Sequence, residues 1–457
     1  MKRLWKRFVK TAVCLTLCLL LCGCSVLELN TSQNLAPPAA TGDEEAIQTA
    51  LETFIAGEYG SAATTQYKLK YPHSGNYRTA FIVQDVDNDQ AAEAFAFYTL
   101  SEEQPLAHVN YLRKQGKAWE SIADIESESA DIREVRFSDL NGDGRLELLI
   151  GYEIAIARDS RLSLYRLSKL AMTELGSFWY TDFLVDRIVS AVQNDVVLFH
   201  ISNSEYEVEA SLISMQNGEL KTRGRTNLDG YIEQFDTMDT CSLGDGNVGI
   251  FADCEKENDT LVTELLVWDG KHLTAPLYDP YANVTVASAR TSGLRFCDVD
   301  GDGVFEWPVS EKLPLPESKS GDQLWLTRWC SYDAAEEECV TEFYAVTVPQ
   351  DGYLLRVDDA WLGALCAAYD KSAHRMELFY KTEERETLEC VIRNSSAEDA
   401  TPVENATGAV GQPAPRVYKT VTLKGSGAEY RVWWNEDKKT ALSLDLNDIL
   451  YRMTVLS

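Results

Sequence analysis

Two stretches of this chain carry oxygen-bearing side chains at a spacing that could hold a hard cation: Asp139-Leu-Asn-Gly-Asp-Gly-Arg-Leu-Glu147 and Asp298-Val-Asp-Gly-Asp-Gly-Val-Phe-Glu306. In both, the oxygens fall at offsets 0, 2, 4 and 8, with glycines at offsets 3 and 5. Calcium takes about six to eight oxygens at roughly 2.3–2.6 Å, and a tightly curled loop converges them. Glycine supplies the positive-φ backbone that such curling needs. A third copy, Asp85-Val-Asp-Asn-Asp-Gln-Ala-Ala-Glu93, keeps every acidic offset but has Asn88 and Gln90 in the glycine positions. Gln tolerates the left-handed region poorly, so a weaker site is expected there. The ligand sets are thus Asp139, Asn141, Asp143, Arg145 and Glu147; Asp298, Asp300, Asp302, Val304 and Glu306; and Asp85, Asp87, Asp89, Ala91 and Glu93. Calcium is the expected ion and its role structural: it neutralises clustered carboxylates and fixes a turn. Magnesium suits the loops less, because it demands a stricter octahedron.

The flanks say which elements carry the loops. An EF-hand would place a Glu at offset 11 and continue into a helix, but offset 11 is Ile150, Val309 and Ala96. After Glu147 the chain reads Leu-Leu-Ile-Gly-Tyr, a short apolar run that suits a buried strand. Val135-Arg-Phe137, Leu294-Arg-Phe296 and Phe81-Ile-Val83 precede the loops and read as strands too. Strand, acidic loop, strand resembles the FG-GAP/VCBS repeats of integrin-like β-propellers, and that resemblance implies a loop joining two strands of one blade.

The acidic loops are regularly spaced. Asp85 to Asp139 is 54 residues and Asp139 to Asp298 is 159, three steps of 53, so degenerate repeats are expected near 192 and 245. The chain there reads Ala191-Val-Gln-Asn-Asp-Val and Ser242-Leu-Gly-Asp-Gly-Asn-Val. Tyr111, Tyr165, Met215 and Trp268 form a second marker series at steps of 54, 50 and 53. Such a period signals a propeller or solenoid, with four short strands filling roughly 50 residues. The fold class expected is mainly β: a β-propeller of about five repeat units, with six or seven as alternatives, plus a small C-terminal α+β domain.

Residues 1–23 read as a targeting segment, with Lys2, Arg3, Lys6, Arg7 and Lys10 ahead of an apolar run from Thr11 to Leu21. Leu21-Cys-Gly-Cys24 resembles the lipobox of bacterial lipoproteins, which implies lipidation of Cys24 and anchoring at the outer face of the cytoplasmic membrane. A plain signal peptide and a transmembrane anchor are the other readings, and the apolar run is short for the latter. Removing five basic residues and no acids takes the net charge from −30 to −35. That balance excludes nucleic acid as a partner and argues against electrostatic binding to anionic lipid. Residues 24–41 form a tether and 42–66 a helix and lead-in, with Thr41-Gly-Asp-Glu44 as capping box and Ile47, Leu51, Phe54 and Ile55 as one apolar face. Seven further cysteines, from Cys241 to Cys390, follow no disulfide framework; Cys330 with Cys339 is a candidate pair, free thiols the alternative.

The repeats are expected over 67–345 and the C-terminal domain over 346–457. Strands are expected there at Met376–Tyr380, Glu386–Arg393, Val417–Leu423 and Tyr430–Trp434, with a helix from Leu446 to Met453. Two further blades in place of that domain are the alternative. Gln323-Leu-Trp-Leu-Thr-Arg-Trp-Cys-Ser-Tyr-Asp333 reads as a strand of alternating core and surface positions, or as an aromatic carbohydrate platform. His73, His108, His200, His272 and His374 are scattered, and no HExxH, GxSxG or P-loop occurs. The function expected is a non-catalytic, lipid-anchored binding module, monomeric, for a protein or glycan. The alternatives are an extracytoplasmic carbohydrate-active hydrolase or lyase with acids at the ring centre, and an envelope accessory or signalling lipoprotein.

Overall fold

The computed structural model describes residues 42–101, 105–116, 118–154, 160–202, 206–396, 418–423, 427–436 and 442–456. The expected leader, Cys24, the tether, Thr41 of the capping box and most of the 395–416 loop lie outside them. Helix α1 (Gly42–Glu58) straddles the division between two compact units, Met1–Thr49 and Ala50–Ser457. Ile47, Leu51 and Ile55 are fully buried on the expected apolar face.

The rest is a succession of small antiparallel sheets. The first holds β1 (Lys68–Leu69), β2 (Phe81–Gln84), β3 (Glu93–Thr99), β4 (Ala107–Gln115) and β5 (Ala118–Glu126). The second holds β6 (Asp131–Ser138), β7 (Glu147–Glu153), β8 (Ser160–Leu167) and β9 (Met172–Tyr180). The third holds β10 (Asp182–Asp186), β11 (Asp195–Ile201), β12 (Val208–Gln216) and β13 (Glu219–Asn227). The fourth holds β14 (Gln234–Ser242), β15 (Val248–Lys256), β16 (Thr260–Trp268) and β17 (Leu273–Thr274). The fifth begins with a lone bridge, Cys297 to Glu306, and continues through β18 (Trp307–Lys312), β19 (Trp325–Asp333), β20 (Glu338–Val348) and β21 (Tyr353–Val357). The sixth holds β22 (Leu365–Asp370), β23 (Arg375–Lys381), β24 (Glu386–Asn394), β25 (Lys419–Thr422) and β26 (Glu429–Trp434). Helix α2 (Leu446–Arg452) follows, and β27 (Met453–Val455) pairs back onto β21.

Successive sheets pack face to face, which is why their second strands read as unbroken apolar runs. Along β7, Leu148 and Ile150 face Phe95, Val109 and Tyr111 of the first sheet, while Leu149 faces Val196 and Leu198 of the third. The same alternation in β11 and β15 links the third sheet to the fourth through Phe199, Ile250 and Trp268, and the fourth to the fifth through Phe251 and Trp307. The markers Tyr111, Tyr165, Met215 and Trp268 lie on β4, β8, β12 and β16, each the strand that follows the one opened by the acidic loop or its remnant.

A division at 345/346 falls inside β20. The core joining the fifth and sixth sheets draws Leu313, Leu324 and Leu326 from before that point, together with Leu378, Ile392, Val432 and Ile449 from after it. The expected strands of this region appear as β23, β24, β25 and β26, and the expected helix as α2. Residues Trp325–Asp333 of that stretch form strand β19, whose alternation buries Trp329 and Tyr332 and leaves Trp325 half-buried, as the core-and-surface reading expects.

Candidate metal centre

The acidic loops occupy equivalent connections, joining β2 to β3, β6 to β7, and the Cys297 bridge to the start of β18. They share one hydrogen-bond skeleton. The Glu at offset 8 stands at the start of the following strand and is nearly inaccessible, with Glu93, Glu147 and Glu306 at 1, 2 and 1 % exposure. One of its oxygens, Oε2, accepts the backbone N–H at offset 1: Val86 at 3.0 Å, Leu140 at 2.9 Å and Val299 at 2.9 Å. The Asp at offset 0 accepts the N–H at offset 5, from Gln90, Gly144 and Gly303, at 3.0, 2.8 and 3.0 Å. These two bonds curl the chain so that the remaining oxygens turn inward. The curl requires positive φ at offsets 3 and 5, and Asn88 (φ 58°) and Gln90 (φ 69°) adopt it just as the glycines do.

The loops differ in what meets the converging charge. In 298–306, Asp298, Asp300 and Asp302 offer carboxylate oxygens within 4.8 Å of one another. Burial pushes the Glu306 carboxyl up to about 8, and the negative charges of Asp300, Asp302 and Asp298 push the same way. Arg356 opposes the raised Asp300 carboxyl, and three carboxylates this close together fit a divalent ion. In 139–147, burial lifts Glu147 to about 7. Asn141 serves two neighbours there: its Nδ2 donates to Glu147 Oε1 at 2.8 Å and its Oδ1 accepts the Asp143 N–H at 2.8 Å. Asp139, Asp143 and Glu147 do not converge within 4.8 Å of one another as the acids of the other two loops do, and the Asn141 amide stands against Glu147 in their place.

Loop 85–93 is different. Asp85, Asp87 and Glu93 also converge within 4.8 Å, but the Arg113 guanidinium on β4 lies among the loop's acids. It reaches Asp87 at 2.9 Å, Glu93 at 3.0 Å and Asp89 at 3.3 Å, and Lys169 reaches Asp89 at 3.2 Å. The protein supplies its own cation here. An arginine competes with any ion for these acids, while Gln90, the reason given for expecting a weaker site, adopts the turn.

The two degenerate repeats occupy the same topological position. The turn Leu243–Asn247 joins β14 to β15 and keeps Gly244, Asp245 and Gly246 at positive φ, without ligands. Residues 187–195 keep the full loop length. Asp195 is wholly buried at the start of β11 and accepts Ile188 and Val189 N–H at 3.1 and 2.7 Å, taking the role of Glu147. Sequence reasoning missed Asp195; the signal that could have found it was an acid nine residues past a strand end, as Glu147 is past Ser138. Neighbouring loops touch: Leu146 N–H donates to Val86 O at 2.8 Å, and Asn194 N–H to Asp139 O at 2.8 Å.

Elsewhere, His108 Nδ1 meets Asp124 Oδ2 at 2.8 Å, and Tyr98 and Asn110 each donate to Asp124 Oδ1 at 2.9 Å. Tyr59 OH also donates to Asp124, at 3.4 Å, so these side chains form one hydrogen-bonded group between β3, β4, β5 and the end of α1. The seven cysteines Cys241, Cys254, Cys297, Cys330, Cys339, Cys366 and Cys390 are free thiols, and no Cys330–Cys339 bridge forms.

No family model matches the chain, and no curated protein matches it. Among solved structures it is similar to a Bacillus licheniformis rhamnogalacturonan lyase (14 % identity, 71 % of this chain and 75 % of that chain, TM-score 0.27). It is similar also to an exo-beta-1,3-galactanase from Phanerochaete chrysosporium (9 %, 72 % and 79 %, TM-score 0.25). A third is the Dos1 propeller (10 %, 68 % and 78 %, TM-score 0.27). At TM-scores this low the likeness says nothing of residues or reaction. What the chain's own geometry gives is a mainly β protein of repeated small antiparallel sheets, with acidic loops at equivalent connections that could bind a metal.

Proposed function

We propose that the repeated sheets are blades of a β-propeller stapled by calcium, carried outside the cell on a lipidated Cys24 and acting as a non-catalytic binding module for a protein or glycan. The observation that carries this reading is the shared loop skeleton: three equivalent connections, each closed by a buried Glu at the start of the following strand. Calcium, when bound, offsets carboxylate repulsion and locks the turn. Asp298, Asp300, Asp302 and Glu306 would hold one ion, and Asp139, Asn141, Asp143 and Glu147 would have to draw together to hold another. Arg145 and Val304 turn their backbone N–H groups onto Asp143 and Asp302, which fixes the curl and orients those two acids.

Three measurements test the proposal. Calcium should raise the melting temperature and a chelator lower it; a melt indifferent to both removes the staple. Cys24→Ala should release the protein from the membrane fraction. Glycan or protein binding without turnover supports a binding module, whereas release of reducing sugar would replace it with an enzyme.

A further inference from the structure

Three arginines lie abreast on the sixth sheet. Strand pairing sets Arg375 of β23 opposite Arg393 of β24, and Arg393 opposite Arg431 of β26. Neighbouring strands run about 4.8 Å apart, so three guanidinium-bearing side chains rise in one row from one face. Like charges set directly opposite each other are unfavourable. Burial presses the Arg393 guanidinium below its usual range, and the charges of Arg431 and Arg375 press the same way. In a chain of net charge −30, this row is a local surplus of the opposite sign.

The acids within reach leave the surplus standing. The row itself has one, Asp370 of β22, opposite Arg375. Asp370 accepts from Arg375 Nη2 at 3.2 Å and also from the Ser372 and Ala373 N–H groups at 3.1 and 3.2 Å. Glu377, one row along, pairs with Lys319 at 2.6 Å and lies 3.7 Å from Arg375. Arg431 is exposed, and among the described residues no acid, Glu429 included, forms an ion pair with it.

The face that carries the row also opens into a cavity. Met376, Ile392 and Val432, each next to one of the arginines along its strand, point the other way into the core shared with the fifth sheet. On the arginine side, Ala368, Asp370, Arg375 and Glu377 meet the segment 318–322 around a space of about 420 Å³. A Cβ on Gly321 would stand 2.8 Å from Tyr369 O, so that segment closes tightly against β22. The Ser318 and Ser320 hydroxyls line the space and make no hydrogen bond among the described residues. Its two charges outside any ion pair, Asp322 and Lys371, cancel, so the arginine row decides the sign.

A guanidinium fork matches the oxygens of a carboxylate or a phosphate, and two forks side by side match a molecule carrying two such groups. We infer that this face of the sixth sheet binds a small polyanion, a molecule with two or more carboxylate or phosphate groups, which enters the cavity at Arg375 and spans the row to Arg431. The inference goes beyond the binding-module reading, because the seat lies apart from the acidic loops and takes a small ligand.

The test titrates the full chain with pyrophosphate, citrate and trigalacturonate by calorimetry in metal-free buffer. At least one should bind, and Arg431→Gln should weaken it tenfold or more at an unchanged melting temperature, since Arg431 is exposed. Arg375→Gln should weaken it as far, and Arg187→Gln, on the exposed third-sheet loop, should leave it unchanged. Binding of pyrophosphate alone would make the ligand a phosphate, and binding of citrate or trigalacturonate alone a carboxylate. Equal losses in Arg187→Gln and Arg431→Gln would overturn the seat, as would no loss in Arg431→Gln and Arg375→Gln. Binding of none of the three probes would overturn the ligand class and leave the binding-module reading to its own tests.

Discussion

Removing Arg113 should turn the first acidic loop into a calcium site. Arg113→Met keeps the side chain's apolar stem and deletes three contacts of 2.9, 3.0 and 3.3 Å to Asp87, Glu93 and Asp89. Taking one partner from a fully buried ion pair costs about 3–5 kcal/mol. Arg113 and Asp87 keep 12 and 10 % of their side-chain surface and Asp89 32 %, so solvent screens part of the loss. A cost of about 2–4 kcal/mol follows, because Asp85, Asp87 and Glu93 remain within 4.8 Å of one another. Calcium at a hundred times its dissociation constant would return about 2.7 kcal/mol. The assay is scanning calorimetry of parent and variant, each in chelator and in millimolar calcium. In chelator the variant should melt several degrees lower, and calcium should raise its melting temperature by more than it raises the parent's. Equal calcium responses in the two proteins would refute the claim that the arginine stands where an ion would sit. Equal stabilities in chelator would refute the claim that it neutralises the loop.

Other outcomes follow from the same geometry. Asp302→Ala should lower the melting temperature in calcium and abolish the response of that loop, whereas Asp245→Ala, in the short fourth-sheet turn, should change neither. Arg290 and Asp253 are both fully buried and paired at 2.7 Å, so Arg290→Met should destabilise by about 3–5 kcal/mol in a denaturant titration. Burial pushes the Glu264 carboxyl up to about 7, above its unfolded value. Its stabilising contribution is thus present at acid pH and is lost as pH rises from about 4.5 through about 7. Glu264→Gln should flatten the fall in stability over that window.

Local patterns in the chain spoke for whatever is decided locally. Offsets of 0, 2, 4 and 8 are visible because a single turn brings those residues together, and the 53-residue step is visible because each sheet is one continuous segment. The degenerate loops fell where that step put them, around 192 and 245. Arg113 was hidden because it enters from β4, twenty residues after Glu93, through strand pairing rather than through spacing. The division at 345 falls inside a strand for a related reason. Alternation marks β20 as a strand, but nothing in it tells which cores its two faces enter: Ala345 packs with Trp329 and Leu354, and Val346 and Val348 pack with the sixth sheet. The aromatic stretch 323–333 was read both ways because exposure depends on the neighbouring sheet, which covers Trp329 and Tyr332 and leaves Tyr206 and Tyr231 bare.

The antiparallel course of each sheet sends its acidic connection to one end and the next hairpin to the other. At the first end, adjoining loops are fastened through Leu146 to Val86 and Asn194 to Asp139, so an insertion in one would unseat the next. The links at the far end differ in length, from the tight Lys256–Thr260 turn to the longer stretch between Ile201 and Val208. Insertions should therefore be tolerated at the Lys256–Thr260 turn and fail in the acidic connections, whose length the fastening fixes.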